Sequence, residues 1–230
     1  MLTFRLFGFV VNVHLTFLIL VVFVIDSGLG PVSIVLWLAA ALVSILIHEL
    51  GHAFTARRYG GAVQNITIHG FGGLTMWVPP VTMTWRQRFA VSAAGAGFGF
   101  VVAGALFLLV DRGLLGATAE RFIPTPWGAF LRNLDGFPLE FFVGAFLWVT
   151  VVWGVINWLP IGGLDGSHML REVLGRLLGH NADLHAAIIG LIFAVAASVV
   201  FANWGYTFAP ILFLVFAMGD LIRALGRRRV

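Results

Sequence analysis

The chain has 230 residues, of which 60% are hydrophobic and only 10% charged, and its mean hydropathy is +1.00. A soluble domain of this size cannot cover so much apolar surface, so the composition excludes that class and indicates an integral membrane protein. All 14 basic residues are arginines, scattered singly or gathered at segment ends, unlike the continuous basic face of a nucleic-acid-binding protein. Because the chain has no cysteine, any transition-metal site must use histidine and carboxylate ligands.

Six apolar stretches are long enough to cross a bilayer, which takes about 20 helical residues. The sequence therefore predicts an all-α membrane protein with six transmembrane helices in one domain over residues 1–230. The first stretch follows Arg5 as in a signal peptide, but no convincing small-residue cleavage site follows it, and we expect a retained helix. The predicted helices lie at about 9–25, 31–56, 89–110, 141–159, 186–202 and 208–222.

The arginine positions predict the orientation, because cytoplasmic loops near helix ends are enriched in basic residues. In a six-helix arrangement, Arg112, Arg121 and Arg132 lie on one side and the other eleven of the 14 arginines on the opposite side. We therefore expect both termini in the cytoplasm. The outer segment at about 111–140 contains three prolines and balanced charge, which predicts a loop or a short amphipathic excursion.

The segment at about 60–84 is rich in glycine and proline, and its polarity partly alternates. This pattern predicts a short strand pair or a re-entrant loop against the helices, whose backbone polar groups must be paired or face water. An exposed strand edge there could bind an extended peptide by strand addition. The alternative is a purely structural loop.

His48 and His52 lie one helical turn apart in the second predicted helix. At this spacing both imidazoles project from one face, as two ligands of one zinc ion must. Glu49 lies beside that face, where it can act as the general base for a metal-bound water. Ionisable residues inside a membrane helix are costly and mark functional sites. The alternative, a structural role for two buried histidines, leaves the buried glutamate unexplained.

A catalytic zinc usually has three protein ligands and leaves one position for water, so a third ligand is needed from elsewhere. Asp165 is the candidate. Pro160 and three nearby glycines end the fourth predicted helix and let irregular backbone carry this carboxylate inward. The alternative is that Asp165 caps a following helix from about Ser167 to Leu178.

The order of these motifs resembles the site-2 proteases, which are intramembrane zinc metalloproteases (peptidase family M50). The resemblance rests on His-Glu-Leu-Gly-His at 48–52 and on Asn-x-x-Pro-x-x-x-Leu-Asp-Gly at 157–166, and it covers most of the chain. It implies one Zn²⁺ per chain bound by His48, His52 and Asp165, with Glu49 as the base. It also implies that Asn157 holds substrate backbone or steadies the site, although an amide there could simply satisfy a freed carbonyl.

Three positions depart from the family pattern. Many site-2 proteases have Ala-Gly-Pro-x-x-Asn in the third core helix, where this chain has Ala96 and Gly99 in place of the proline and the asparagine. Gly163 replaces a proline before Leu-Asp-Gly. Small residues in the third helix allow close helix packing.

Three other histidines are candidates for supporting roles. His14, in the first predicted helix, either lines an aqueous cavity or makes a buried polar contact. His69 could touch the peptide or the zinc-bound water. His168 follows the proposed ligand Asp165 and either supports it or is exposed on the next helix.

The resemblance implies an intramembrane endopeptidase that cleaves transmembrane segments of single-span membrane proteins, as in regulated intramembrane proteolysis, in a prokaryotic cell membrane. A membrane metal-binding transporter or regulator is one alternative, although a transporter would spread its acidic residues along a pathway. An inactive protease-like scaffold is the other, although the base and ligands are intact. The expected partners are the lipid bilayer and single-span membrane proteins, with no nucleic acid, while the oligomeric state is unknown.

Overall fold

The computed structural model describes residues 1–23, 28–113, 119–123, 129–206 and 208–227. Within these ranges, five helical stretches are long and apolar enough to cross a membrane. This result supports an integral membrane protein, although the number of spans differs from the predicted six. The five stretches are Pro31–Arg58, Trp85–Asp111, Pro138–Asn157, Asp165–Asn203 and Phe208–Gly226.

The α-helices agree with five of the six predicted helices to within a few residues. A further helix begins at Asp165 after the Gly-rich break and ends at Leu178, close to the helix expected from about Ser167 to Leu178. A π-helical turn, Val149–Trp153, interrupts the stretch between α3 and α4. The helices are α1 (Pro31–Arg58), α2 (Trp85–Asp111), α3 (Pro138–Trp148), α4 (Gly154–Asn157), α5 (Asp165–Leu178), α6 (Ala182–Asn203) and α7 (Phe208–Gly226).

The predicted first helix, 9–25, is wrong. Phe9–Val13 is a β-strand and Leu15–Phe23 is a 3-10 helix, while residues 24 and 25 lie outside the described ranges. Phe7 and Gly8 have positive φ values of 50° and 86°, which turn the chain back on itself and make residues 2–13 a hairpin. Apolar composition alone does not separate a buried strand from a helix, and the β-branched valines of this stretch favour a strand.

The sheet has four strands in the order β1-β2-β3-β4, so the all-α prediction omitted its N-terminal half. The strands are β1 (Leu2–Leu6), β2 (Phe9–Val13), β3 (Ala62–His69) and β4 (Gly72–Val78). Of the two predictions for 60–84, a short strand pair or a re-entrant loop, the hairpin β3–β4 confirms the first. β2 pairs with β3 in parallel, with Val11 opposite Ile66, and both of these side chains are fully buried in the core that includes α1.

The N-terminal hairpin lies at the Arg57 end of α1. The Arg57 guanidinium donates to the carbonyl oxygen of Phe7 at 3.2 Å and lies 4.4 Å from the ring centroid of Phe9. The N-terminal strands and Arg57 therefore lie at the same end of α1, and the arginine pattern predicted that Arg5 and Arg57 lie on one side. They are brought together by strand pairing and not by a membrane-crossing α-helix. Which face of the membrane this end occupies stays a prediction.

The outer segment predicted at about 111–140 contains two short 3-10 helices, Ala119–Phe122 and Ala129–Leu134. Residues 114–118 and 124–128 lie outside the described ranges. Asp135 connects this segment to the start of α1, because its carboxylate accepts hydrogen bonds from the Ser33 hydroxyl and the Gly30 amide.

The chain separates into two compact units, and the helix α2 contributes to both. The first unit consists of Met1–Val81 and Ala94–Gly154, and the second of Thr82–Ala93 and Val155–Val230. In the first unit, the sheet, α1 and α3 share one apolar core. In the second unit, Ile161, Ala194, Phe213 and Ala217 form a smaller core between the 158–164 connection and the helices α6 and α7.

Candidate metal centre

The histidine pair of α1 converges on one point. The Nε2 atoms of His48 and His52 are 3.1 Å apart. One ligand atom from each of His48, Glu49 and His52 can be chosen so that all three lie within 4.8 Å of one another. Glu49 and His52 are buried and His48 is half-buried, although α1 is a candidate membrane span. The helical spacing of the sequence motif therefore produces a compact donor cluster inside a membrane helix.

The cluster fits a zinc ion by two criteria. Two imidazole nitrogens bound to one tetrahedral zinc at about 2.0 to 2.1 Å are roughly 3.3 Å apart, close to the spacing seen here. Imidazole and carboxylate are also the donor types that zinc accepts in proteins without cysteine. His48 and His52 are thus suited to hold the metal, while the position of Glu49 suits either a ligand or a base.

Glu49 is positioned by strand β4. The Thr75 hydroxyl donates a hydrogen bond to Glu49 Oε2 at 2.7 Å, and its oxygen also lies 3.0 Å from the Glu49 carbonyl oxygen. Gly73, on the same face of β4 as Thr75, has no side chain to obstruct the carboxylate, because a Cβ there would collide with Glu49 Cγ and Oε1. Strand β4, which follows α1 in the chain, therefore contacts the glutamate of the α1 motif directly.

Helix α2 forms another side of the cluster through Gly95. A Cβ at this position would collide with the Nε2 atoms of both His48 and His52. On the facing helix, a Cβ at Gly51 would collide with the backbone of Ala94. Glycine is thus required on both helices, and this confirms the expectation that the small residues of α2 allow close helix packing.

The surroundings of Gly99 explain why this chain has a glycine where many site-2 proteases have an asparagine. A Cβ at this position would lie 3.0 Å from Thr150 Cγ2, in the π-helical turn. The Thr150 hydroxyl is in turn 2.8 Å from the Ser44 hydroxyl of α1 in a buried polar contact. An asparagine in place of Gly99 would need Thr150 to move, so a glycine here fits the Ser44–Thr150 pair.

Asp165 is the first residue of α5 and belongs to the second unit. The N-cap of α5 is Leu164, in an extended conformation, so Asp165 does not occupy the capping position. Its Oδ2 atom is shielded from solvent. Gly163 has φ +87°, which proline cannot adopt because its ring holds φ near −65°, and this accounts for the loss of the family proline. The backbone break predicted before Asp165 is present, whereas its role as third ligand stays a prediction.

Asn157 and the other candidate histidines have separate local environments. Asn157 is half-buried at the end of α4, in the second unit. His14 is exposed and follows β2 rather than lying in a helix, and its Nδ1 is 2.8 Å from the Thr16 hydroxyl. The Nδ1 of His69 accepts a hydrogen bond from the Phe71 amide at 3.2 Å in the β3–β4 turn. His168 is exposed on α5, as one of its two predicted alternatives stated.

Sequence reasoning missed Gly73, Thr75 and Gly95 as parts of this centre. The sequence places Gly95 only within a stretch of small residues suited to close helix packing. The signal for Gly73 and Thr75 is their spacing of two residues in a strand, which puts both side-chain positions on one face. That face could be identified only once β4 was known to pack on α1.

A membrane helix that carries a converging histidine pair and a glutamate held by an adjacent strand defines a membrane protein with a metallopeptidase-like centre. The sequence profile described as Peptidase family M50 matches residues 36–201, and the chain belongs to this family. Family membership confirms the resemblance to the site-2 proteases.

Individual relatives agree with this assignment. The chain is 25% identical over 203 residues to a zinc metalloprotease of Methanocaldococcus jannaschii, covering 84% of this chain and 53% of that protein. It is 30% identical over 211 residues to Rip3 of Mycobacterium tuberculosis, covering 83% of this chain and 48% of that protein. The chain thus spans about half the length of these relatives.

A solved structure shows the same fold. The site-2 protease from Methanocaldococcus jannaschii superposes with a TM-score of 0.61 at 22% sequence identity, covering 100% of this chain and 95% of that chain. At this level of identity the likeness concerns the fold alone.

Proposed function

We propose that this protein is an intramembrane zinc endopeptidase that cleaves transmembrane segments of single-span membrane proteins. The observation that carries the proposal is the 3.1 Å approach of the His48 and His52 Nε2 atoms beside the buried carboxylate of Glu49, within a candidate membrane span. Membership of Peptidase family M50 and the names of relatives support it.

The proposed ligands of the zinc ion are His48, His52 and Asp165. When bound, zinc supplies Lewis-acid polarisation of a water molecule and of the peptide carbonyl, and stabilises the negative charge that develops on the carbonyl oxygen. Gly95 keeps space open at both histidine nitrogens. The lack of a side chain at this position is therefore part of the proposed centre.

Glu49 is the proposed proton carrier. Its carboxylate takes a proton from the attacking water as the new C–O bond forms, and later delivers it to the leaving nitrogen as the C–N bond breaks. The Thr75 hydroxyl holds Oε2 in a fixed direction by the 2.7 Å hydrogen bond. The other oxygen, Oε1, faces the space left by Gly73. Thr75 is a positioning residue in this scheme, because it acts through Glu49.

Strand β4 is the proposed peptide-binding edge. It is the last strand of the sheet among the described residues, so one of its edges has no strand partner there. Leu74, Met76 and Val78 are about half exposed on the face opposite Thr75. An extended peptide that pairs with β4 would lie along the strand that contacts Glu49. A helical substrate must first unwind, because a helical peptide bond is shielded by its own turns, so helix-breaking residues near the scissile bond should speed cleavage.

The central experiment compares purified wild-type protein with Glu49→Gln protein. Zinc content is measured by elemental analysis, and cleavage is measured on a panel of single-span membrane proteins in vesicles. We expect about one zinc per chain in both proteins and cleavage by the wild type alone, with a loss of about 10² to 10⁴-fold or more in rate when the base is removed. Equal cleavage by the two proteins would reject the proposed role of Glu49. Zinc binding without any wild-type cleavage would favour the transporter or scaffold alternatives.

A second experiment addresses the third ligand. Asp165→Ala should lower zinc content and cleavage together, whereas Asp135→Ala, which removes an acid from the outer segment, should leave zinc content at the wild-type value. If Asp165→Ala kept its zinc, the third ligand would have to be another residue, and Glu49 would become the leading candidate.

A further inference from the structure

The second unit contains a cavity that the proposed peptidase chemistry does not use. Its volume is about 300 Å³, and it lies among the helices α5, α6 and α7. This volume is at the lower end of the range of small-molecule sites, about 300 to 1,000 Å³. Six of its lining residues are ionisable: His168, Arg171, Asp183, Asp220, Arg223 and Arg227.

The charges in this cavity form a shared network. Arg171 contacts Asp220 through Nη2 and lies 3.4 Å from Asp183 through Nε. Asp220 also has Arg223 at 3.5 Å, and Asp183 has Arg227 at 2.9 Å. Three guanidinium groups therefore share two carboxylates, and the network retains one net positive charge with His168 neutral.

The three arginines are not equivalent. The side chain of Arg171 is 22% exposed and lies between the two carboxylates, so its contacts account for its position. The side chains of Arg223 and Arg227 are 64% and 73% exposed. A guanidinium has five N–H donors, and a single carboxylate contact uses at most two of them. The outer two arginines can thus donate to an additional anion without breaking the internal network.

The cavity lies at one end of two membrane-spanning helices. Asp183 is in the first turn of α6 and Arg223 in the last turn of α7. A short connection joins these helices and they pack against each other, so the start of α6 and the end of α7 lie at the same end of the pair. The ends of membrane helices lie at the level of the lipid headgroups, and basic pockets between such helices bind anionic headgroups.

We propose that this cavity binds a phosphate group, as carried by the headgroup of an anionic phospholipid, with Arg223 and Arg227 as its principal donors. Phosphate oxygens accept paired N–H donors from guanidinium groups, which gives arginine an advantage over lysine for this ligand. Arg171 acts as a positioning residue, because it holds Asp183 and Asp220, and through them the two outer arginines. The proposal rests on α5, α6 and α7 and does not depend on peptidase activity.

Native mass spectrometry of the delipidated full-length protein tests this proposal. The probes are dihexanoyl phosphatidylglycerol, dihexanoyl phosphatidylcholine and inorganic phosphate. The variants are Arg223→Gln/Arg227→Gln, the conservative Arg223→Lys/Arg227→Lys, and Arg176→Gln as a control that removes one exposed charge from α5 outside the cavity lining. Since both outer arginines are largely exposed, the double variants should fold, which a gel-filtration profile and thermal unfolding can verify.

We expect the wild type to bind one phosphatidylglycerol in preference to phosphatidylcholine. Each lost arginine should weaken this binding about fivefold, so the double glutamine variant should lose roughly 25-fold, and the lysine variant should lose less. Arg176→Gln should bind as the wild type does. Displacement of the lipid by an equal concentration of inorganic phosphate would support the anion site and assign it to free phosphate. Unchanged phosphatidylglycerol binding by the double glutamine variant, or an equal loss in Arg176→Gln, would overturn the proposal.

Discussion

Two clusters of ionisable side chains lie in the helices of this protein, and they are built in opposite ways. In the first unit, the imidazoles of His48 and His52 and the carboxylate of Glu49 lie close together. These three residues do not include an arginine–carboxylate ion pair. In the second unit, three arginines share the carboxylates of Asp183 and Asp220 in ion pairs, which leaves one net positive charge. The first cluster is suited to bind a cation, whereas most of the charge in the second is compensated by its own ion pairs.

The difference shows how each cluster tolerates a membrane environment. The histidine cluster contains no fixed positive charge, since imidazole is neutral when it binds a metal. Gly73 and Gly95 have no side chains and therefore leave space at the donor atoms. The arginine cluster lies near the helix ends and offsets the desolvation of Asp220 by direct ion pairing. A change in the first cluster should therefore act on metal content and cleavage, and a change at the Arg171–Asp220 pair of the second cluster should act on stability.

The largest expected effect is the loss of a metal ligand. His52→Ala should abolish zinc binding. Changing a residue that only supports a metal ligand lowers metal affinity by roughly 10 to 100-fold, and the loss of a direct ligand should cost more than that. Elemental analysis after dialysis against a weak chelator measures this. His185→Ala, on α6, is the matched control and should keep its zinc. Full zinc content in His52→Ala would show that the α1 cluster is not the metal centre.

The space beside the histidines can be tested without removing a ligand. A methyl group at position 95 would collide with both Nε2 atoms, so Gly95→Ala should lower zinc affinity by about 10 to 100-fold, as for other changes that displace ligands. Gly97→Ala places the same methyl group on the same helix with no atom within 4 Å, and a competitive chelator titration of both proteins should show loss only at 95. Equal zinc affinity in the two variants would contradict the proposed role of Gly95.

The role of Thr75 predicts a smaller effect on turnover. Thr75→Val keeps the side-chain shape and removes the hydroxyl, so kcat should fall about tenfold as Glu49 loses its fixed direction, which corresponds to about 1.4 kcal/mol. Zinc content should not change, and Thr75→Ser should recover most of the rate. Thr67→Val, which removes a hydroxyl that bonds Asn65 on the paired strand, is the control. A valine variant with the wild-type rate would leave Thr75 with a packing role only.

The smallest expected effect on metal content comes from the second cluster. Asp220→Asn leaves Arg171 with one carboxylate instead of two, so the midpoint of thermal unfolding should fall by several degrees, as a loss of about 2 kcal/mol produces in a chain of this size. Zinc content per folded chain should stay at the wild-type value. A loss of zinc in this variant would contradict the prediction that Asp220 affects stability and not the metal content.

The sequence predicted the five long helices because each is a continuous apolar stretch of membrane-spanning length with arginine, proline or glycine near its ends. It also predicted the break before Asp165 and the strand pair after α1, since proline and glycine clusters disfavour helix. It was wrong for residues 9–25, where a valine-rich apolar run is compatible with a strand or a helix. The pairing of β2 with β3, which decides between them, joins residues more than 50 positions apart.

The sequence by itself determined the membrane class, the family and the histidine–glutamate motif, because hydropathy, residue type and helical period are local properties. Only the tertiary structure decided that Gly73 and Thr75 face Glu49, that Gly95 faces both histidines, and that three arginines share two aspartates. These relations depend on which face of one element packs against another, and no local pattern specifies that choice.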